Sequence, residues 1–230
     1  MHWRRTPVDG SHDLAWFSAW GFVVGAGLFA LGSFPLYSQR VDPGLVGITF
    51  VVGSVFFTSA AYGQYVQVVG QTGDDGAVRR RFFGWQPHSS EWVAATVQLA
   101  GTVLFNVSTF LAMLDGLTTQ ETNRLVWAPD VFGCTAFLIA SHLAWRGVCG
   151  RAWCVEPDSD EWWMAAINYA GSIFFGISAI AALTLPTSGE ELNTTLVYST
   201  TLAGALCFMF GAYLMFPADE RTSESRGATD

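Results

Sequence analysis

Six long apolar stretches dominate this sequence, and five of them contain no charged residue. Each is long enough for the roughly 20 apolar residues that a helix needs to cross a bilayer. Lipid offers the backbone no hydrogen-bond partner, so such segments must pair their N–H and C=O groups internally, as a helix does. The sequence therefore predicts an all-α membrane protein with six transmembrane helices, at residues 14–37, 45–67, 92–114, 125–147, 162–185 and 194–216.

The composition excludes several other classes of protein. Charged residues make up 13% of the 230 residues, whereas soluble domains contain about 25%. The net charge of −8 disfavours nonspecific binding to nucleic acid, and we expect no nucleic-acid partner. Four cysteines are too few for a disulfide framework of the kind that small secreted domains use.

The arginines predict the orientation in the membrane, because cytoplasmic loops carry an excess of positive charge. All 11 basic residues are arginines. Only Arg40 and Arg124 follow the first and third predicted helices, and both therefore lie on the same side of the membrane. The other nine lie on the opposite side, at positions 4, 5, 79, 80, 81, 146, 151, 221 and 226. We therefore expect a protein of a prokaryotic cell membrane whose two termini both lie in the cytoplasm. The first apolar stretch is too long for a signal peptide and is expected to be a retained helix.

The six stretches form three similar hairpins. A tryptophan opens the first helix of each hairpin, and a glycine and a phenylalanine follow at fixed offsets: Trp16, Gly25, Phe29; Trp92, Gly101, Phe105; Trp162, Gly171, Phe175. The second helices share a glycine with a phenylalanine four residues later: Gly53, Phe57; Gly133, Phe137; Gly204, Phe208. Such offsets are typical of a duplicated unit. Because each copy starts and ends on the same side, we expect parallel-topology repeats around a pseudo-threefold axis along the membrane normal.

The repeats divide the chain into six segments. The N-terminal region and the first hairpin cover residues 1–69, and the other hairpins cover 92–147 and 162–216. Between them lie two predicted cytoplasmic loops, which we name the basic loop (residues 70–91) and the acidic loop (residues 148–161). Residues 217–230 form an acidic tail that we expect to be flexible.

A polar stripe runs along one face of the third predicted helix. Gln98, Thr102, Asn106 and Thr109 recur at helical spacing, and the fifth helix repeats part of the pattern with Asn168 and Ser172. Within a membrane such side chains either bond to neighbouring helices or line a wet cavity. The stripe is therefore a candidate polar intramembrane site, with structural bonding as the main interpretation.

Ionisable groups in membrane segments are candidates for function. Asp115 and Asp130 lie at the ends of the third and fourth helices, on the side opposite to the arginine-rich loops. They are interpreted as capping or solvated carboxylates, with a paired outer acidic site that includes Arg124 as the alternative. His142 is the only histidine within a predicted span, too few for a bis-histidine haem, and we expect no cofactor.

The remaining candidates lie in the two loops. In the basic loop, Arg79, Arg80 and Arg81 precede Trp85, a mixture that suits anionic lipid headgroups. In the acidic loop, Cys149 and Cys154 are candidate metal-binding or redox thiols. Structural zinc normally needs four nitrogen or sulfur ligands, so we expect reduced cysteines in a solvated loop and no metal.

Three strings of residues carry a resemblance to a known family. They run over residues 92–109 (WVAATVQLAGTVLFNVST), 126–130 (VWAPD) and 170–179 (AGSIFFGISA). This region resembles uncharacterised bacterial integral membrane proteins known as YrhK-like, best over residues 85–216. The resemblance implies a membrane location and small hairpin modules, and it brings no activity or catalytic residue with it.

The sequence contains no P-loop, dinucleotide-binding, zinc-protease or nucleophile-elbow motif, and we expect no enzyme and no catalytic residue. The favoured function is a noncatalytic membrane module that binds lipid, a partner membrane protein or a second copy of itself. The first alternative is a small-solute or ion pathway lined by the amides of helices three and five. The second is a membrane redox or thiol-switch protein.

Overall fold

The computed structural model describes residues 11–70 and 81–216. In this part of the chain six helices are long and apolar enough to cross a membrane. This confirms the prediction of an all-helical protein with six such segments, as in a multi-pass membrane protein. The helices are α1 (Ser11–Ser33), α2 (Pro35–Ser38), α3 (Pro43–Val69), α4 (Ser90–Leu111), α5 (Thr119–Thr122), α6 (Ala128–Cys149), α7 (Asp160–Ala181) and α8 (Thr194–Leu214).

Polar caps set the ends of the long helices. The Asp42 carboxylate accepts the N–H groups of Gly44 and Leu45, at 2.9 and 3.3 Å, just before α3. Side chains of this type satisfy backbone donors that have no partner within the helix. At its C-terminal end, α6 is followed by Gly150, whose φ of +64° is readily adopted only by glycine.

The fourth span begins earlier than predicted. A capping box between Thr118 and Glu121 starts α5, and one π-helical turn, Asn123–Trp127, joins it directly to α6. The continuous span therefore covers Thr119–Cys149 rather than residues 125–147. Pro129 follows this π-helical turn after one residue, so it lies inside the continuous helix, where its missing N–H removes one backbone hydrogen bond.

The six long helices form a closed ring. Each packs against its neighbours in the chain, in the order α1, α3, α4, α6, α7 and α8, and α8 returns to pack against α1. Facing glycines allow the two helices within each hairpin to approach closely. A Cβ atom on Gly101, for example, would lie 3.1 Å from the carbonyl oxygen of Gly133. Equivalent approaches join Gly25 to Gly53 and Gly171 to Gly204.

The outside of the ring is apolar. Phe132, Ile180 and Phe210 are 65%, 65% and 58% exposed along the long helices. In water such side chains would be costly, whereas in a bilayer they contact acyl chains of similar polarity. The exposed surface of the spans is therefore suited to contact with acyl chains, and we name it the lipid-facing surface.

Candidate functional site

The centre of the ring is filled by aromatic side chains. Each long helix contributes one buried or nearly buried phenylalanine, and we name the set the phenylalanine core: Phe29, Phe57, Phe105, Phe137, Phe175 and Phe208. Neighbouring ring centroids lie 5.3–6.1 Å apart, within the range at which aromatic pairs attract. Six helices thus converge on a shared aromatic cluster.

The space left between these rings is about 10 Å³, which is the lower limit for holding one water molecule. Thr102 also lines this space, but its hydroxyl donates to the carbonyl oxygen of Leu99 at 2.8 Å. A row of waters or hydrated ions needs a wider and more polar passage. The axis of the described bundle is therefore closed at the level of the phenylalanine core.

Most of the predicted polar stripe lies between α3 and α4. The Gln98 amide donates to Gln64 Oε1 at 3.1 Å, and the Asn106 amide donates to Thr58 Oγ1 at 2.7 Å. Each pair joins the last helix of one hairpin to the first helix of the next. We name this row of bonds the polar seam.

The polar seam continues toward the opposite end of α4. The hydroxyls of Thr109 and Ser54 lie 3.0 Å apart, and Thr58 Oγ1 also donates to the Thr102 carbonyl at 3.2 Å. Among the described residues, the buried Oδ1 of Asn106 has no hydrogen-bond partner. This oxygen is shielded from solvent, so it is an unmet acceptor inside the seam and not an open contact for a solute.

The fifth-helix candidates lie elsewhere. Ser172 is fully buried, and its hydroxyl lies 2.7 Å from Ser141 Oγ of α6. Asn168 faces α8, where a Cβ on Gly211 would lie 2.6 Å from Asn168 Oδ1. The six stripe residues therefore occupy three different helix contacts and do not surround one common cavity.

The two predicted outer acids have separate environments. Asp130 is half-buried in the first turn of α6, where its Oδ1 accepts the Cys134 thiol at 3.9 Å. Asp115 is exposed in the turn after α4, and Arg124 is exposed in the π-helical turn. The paired site with Arg124 stays a prediction. His142 lies beside Tyr169, with ring centroids 5.9 Å apart.

A set of hydrogen bonds at the end of the bundle where Arg124 lies was not predicted from the sequence. The Asn123 side chain donates to the Thr184 carbonyl at 2.8 Å and accepts the Thr184 N–H at 3.0 Å. The Trp127 indole donates to the Ala179 carbonyl at 2.9 Å. These bonds tie the π-helical turn to the connection between α7 and α8. The sequence contains little indication of these hydrogen bonds, because one asparagine in a polar turn has many alternative partners.

Glu191 in that connection should make stability depend on pH. Burial raises the pKa of its carboxyl above the ordinary value of 4.5, against a smaller lowering by the hydrogen bond with Thr194. Above pH 4.5 the carboxyl is charged in the unfolded chain, and its burial on folding therefore lowers the free energy of unfolding. This loss disappears as the pH falls below 4.5, because the carboxyl is then protonated in both states. We expect Glu191→Gln to raise the melting temperature at neutral pH and to leave it unchanged in acid.

Thermal unfolding in detergent at both pH values checks this prediction. Glu190→Gln is the matched control, because the adjacent Glu190 is exposed. An equal rise in both variants would show that removing any negative charge from this connection is sufficient, and the burial argument would be wrong.

The basic loop is anchored at its C-terminal half. Tyr65 Oη donates to the Gly84 carbonyl at 2.9 Å, and the Trp92 indole donates to the same oxygen at 2.8 Å. Arg81 and Trp85 are exposed, Trp85 by 81% of its surface. Arg79 and Arg80 lie outside the described residues.

The acidic loop differs from the prediction. Cys149 and Cys154 form a disulfide with a Cα–Cα distance of 5.5 Å, so the expectation of reduced thiols in a solvated loop is wrong. Cys149 is the last residue of α6, and Cys154 lies five residues later in the acidic loop. The chain turns back at Gly150, and this turn brings the two cysteines together. A disulfide sulfur is no longer a thiolate ligand, and the described residues contain no group of three or more potential metal ligands.

Comparison of this chain with protein-family models, with curated proteins and with solved structures gave no match. The YrhK-like resemblance therefore stays a prediction.

Proposed function

We propose that this chain is a noncatalytic membrane module that binds lipid headgroups at the end carrying the basic and acidic loops. The exposed Arg81 and Trp85 of the basic loop are the observation that carries this proposal. The phenylalanine core argues against the conducting alternative, because it closes the axis of the bundle. In this proposal the bundle consists of three parallel hairpin repeats, each held by one pair of facing glycines. Nine of the 11 arginines favour the cytoplasmic side of a prokaryotic cell membrane for that end.

The solute-pathway alternative has less support. Gln98, Asn106 and Thr109 are bonded across the polar seam, and interhelical bonds of this type contribute about 0.6 kcal/mol on average. Side chains that line a transport path need to remain available to the solute. Among the described stripe residues, the one buried acceptor without a hydrogen-bond partner is Asn106 Oδ1, and its burial keeps it from a solute.

The test measures lipid preference. Each arginine near an anionic surface contributes about 1 kcal/mol, so Arg81→Gln should weaken the retention of phosphatidylglycerol about fivefold while leaving phosphatidylcholine unaffected. Native mass spectrometry of the purified protein, with each lipid added in turn, gives the two retentions. Arg124→Gln is the matched control, because it removes the same exposed charge at the opposite end. Equal losses in both variants would refute a headgroup site in the basic loop.

A thiol switch is the second candidate, and the Cys149–Cys154 disulfide is the observation that favours it. Disulfides are rare in a reducing cytoplasm, and those that form there are usually transient and catalytic or redox-sensing. Opening it takes two electrons and two protons from a dithiol reductant. Alkylation of the protein in growing cells distinguishes the states, and thiols that are always alkylated would remove this candidate.

A further inference from the structure

The basic and acidic loops of this protein share one sequence motif. The basic and acidic loops align without a gap when the second is shifted by 70 residues, from Arg81 to Trp92 and from Arg151 to Trp162. The shared positions are an arginine, a proline, a serine, a glutamate and a tryptophan: Arg81, Pro87, Ser89, Glu91, Trp92 and Arg151, Pro157, Ser159, Glu161, Trp162.

The shared serine and the shared tryptophan make the same contacts in both loops. Ser89 and Ser159 cap α4 and α7, each accepting the N–H three residues later at 3.2 Å. The Trp92 indole donates to the carbonyl of Gly84 at 2.8 Å, and the Trp162 indole donates to the carbonyl of Cys154 at 3.0 Å. The motif therefore folds alike in both loops. This places the residues between the shared arginine and the shared proline at equivalent positions.

The presented residues are apolar and exposed at matching positions. Phe83 and Trp85 are 79% and 81% exposed in the basic loop, and Trp153 and Val155 are 68% and 76% exposed in the acidic loop. Both loops join a second helix of one hairpin to the first helix of the next, so both lie at the same end of the ring. We name these four residues the loop tips.

We propose that the loop tips are two interfacial anchors that insert into the boundary between lipid headgroups and acyl chains of one leaflet. They lie in the connections from α3 to α4 and from α6 to α7, directly beyond the ends of the apolar spans. Aromatic side chains next to arginine are suited to this zone, because the ring is apolar and the guanidinium pairs with phosphate. Arg81 and Arg151 occupy that place in each loop, two residues before the first tip.

Charge distinguishes the two anchors. The acidic loop carries four carboxylates after its tip, Glu156, Asp158, Asp160 and Glu161, whereas three arginines precede the tip of the basic loop. Insertion of Trp153 and Val155 therefore depends on apolar burial, and it should persist in a bilayer of zwitterionic lipid. This inference rests on the membrane placement of the proposed function and is independent of its anionic-lipid preference.

Fluorescence quenching by brominated lipid tests the proposal with the full chain in vesicles of phosphatidylcholine. We expect Trp153→Phe and Trp85→Phe each to reduce the signal quenched by lipid brominated near the glycerol end of the acyl chain. Trp145→Phe is the control, since Trp145 is only 5% exposed and packs beside Trp153, and it should leave the quenched signal unchanged.

Quenching by aqueous iodide gives the opposing result. If Trp153→Phe removes signal that iodide quenches and leaves the lipid-quenched signal intact, the acidic-loop tip lies in water, and the proposal is overturned. This result would leave the Arg81 lipid preference untouched, so the two proposals fail separately.

Discussion

Replacing Phe29 by alanine should lower the free energy of unfolding by about 3–5 kcal/mol, the usual cost of emptying a buried phenylalanine site. Phe29 is 4% exposed, and its ring lies 5.7–6.0 Å from the rings of Phe57, Phe105 and Phe175. These three rings belong to three different helices, so none can move into the space without losing other partners. Denaturation in mixed micelles measures the loss.

The same variant tests whether the phenylalanine core closes the axis. Proton leak through liposomes should rise in Phe29→Ala if the core is the barrier. Phe132→Ala is the control, because Phe132 is 65% exposed on the lipid-facing surface, and we expect a change in stability within about 0.5 kcal/mol. A stable Phe29→Ala protein with no leak would contradict the closing role of the core.

Adding one methyl group at Gly25 should destabilise the bundle by about 1–3 kcal/mol, the range found for overpacked cores. A Cβ atom there would lie 2.7 Å from the Phe57 ring and 2.9 Å from the carbonyl oxygen of Gly53. The carbonyl belongs to the backbone of α3, so relief requires the two helices to separate. Thermal unfolding of Gly25→Ala in detergent gives the effect.

Gly147→Ala is the matched control for this variant. Gly147 lies in α6 with nothing within 4 Å of an added Cβ, and alanine is favoured over glycine in a helix by roughly 0.5–1 kcal/mol. The control should therefore be neutral or stabilising. If both variants shift the melting temperature equally, close approach of α1 and α3 is not what selects glycine at position 25.

The number and approximate position of the long helices could be predicted because they depend on local properties. Apolar length and the absence of charge force a helix in lipid regardless of what it packs against. The start of the fourth span was predicted too late because Glu121 and Arg124 interrupt the apolar run, while the capping box of Thr118 with Glu121 begins the helix earlier.

The candidate sites were predicted less completely, because contacts across the bundle depend on helix rotation. The sequence placed Gln98, Asn106 and Thr109 on one helical face, but it could not say that Gln64, Thr58 and Ser54 would face them. The duplicated loop motif was readable at its offset of 70 residues. It became meaningful only when equal hydrogen bonds at Trp92 and Trp162 showed that both copies fold alike.

The sequence by itself therefore determined that this is a helical, multi-pass chain, since bilayer thickness and backbone hydrogen bonding act on each segment separately. Only the tertiary structure decided that six phenylalanines meet on the axis, that the polar stripe is used in seams between hairpins, and that Cys149 and Cys154 are joined. Each of these depends on where separate segments meet in space, and an apolar segment alone carries too little information about its partners to specify that.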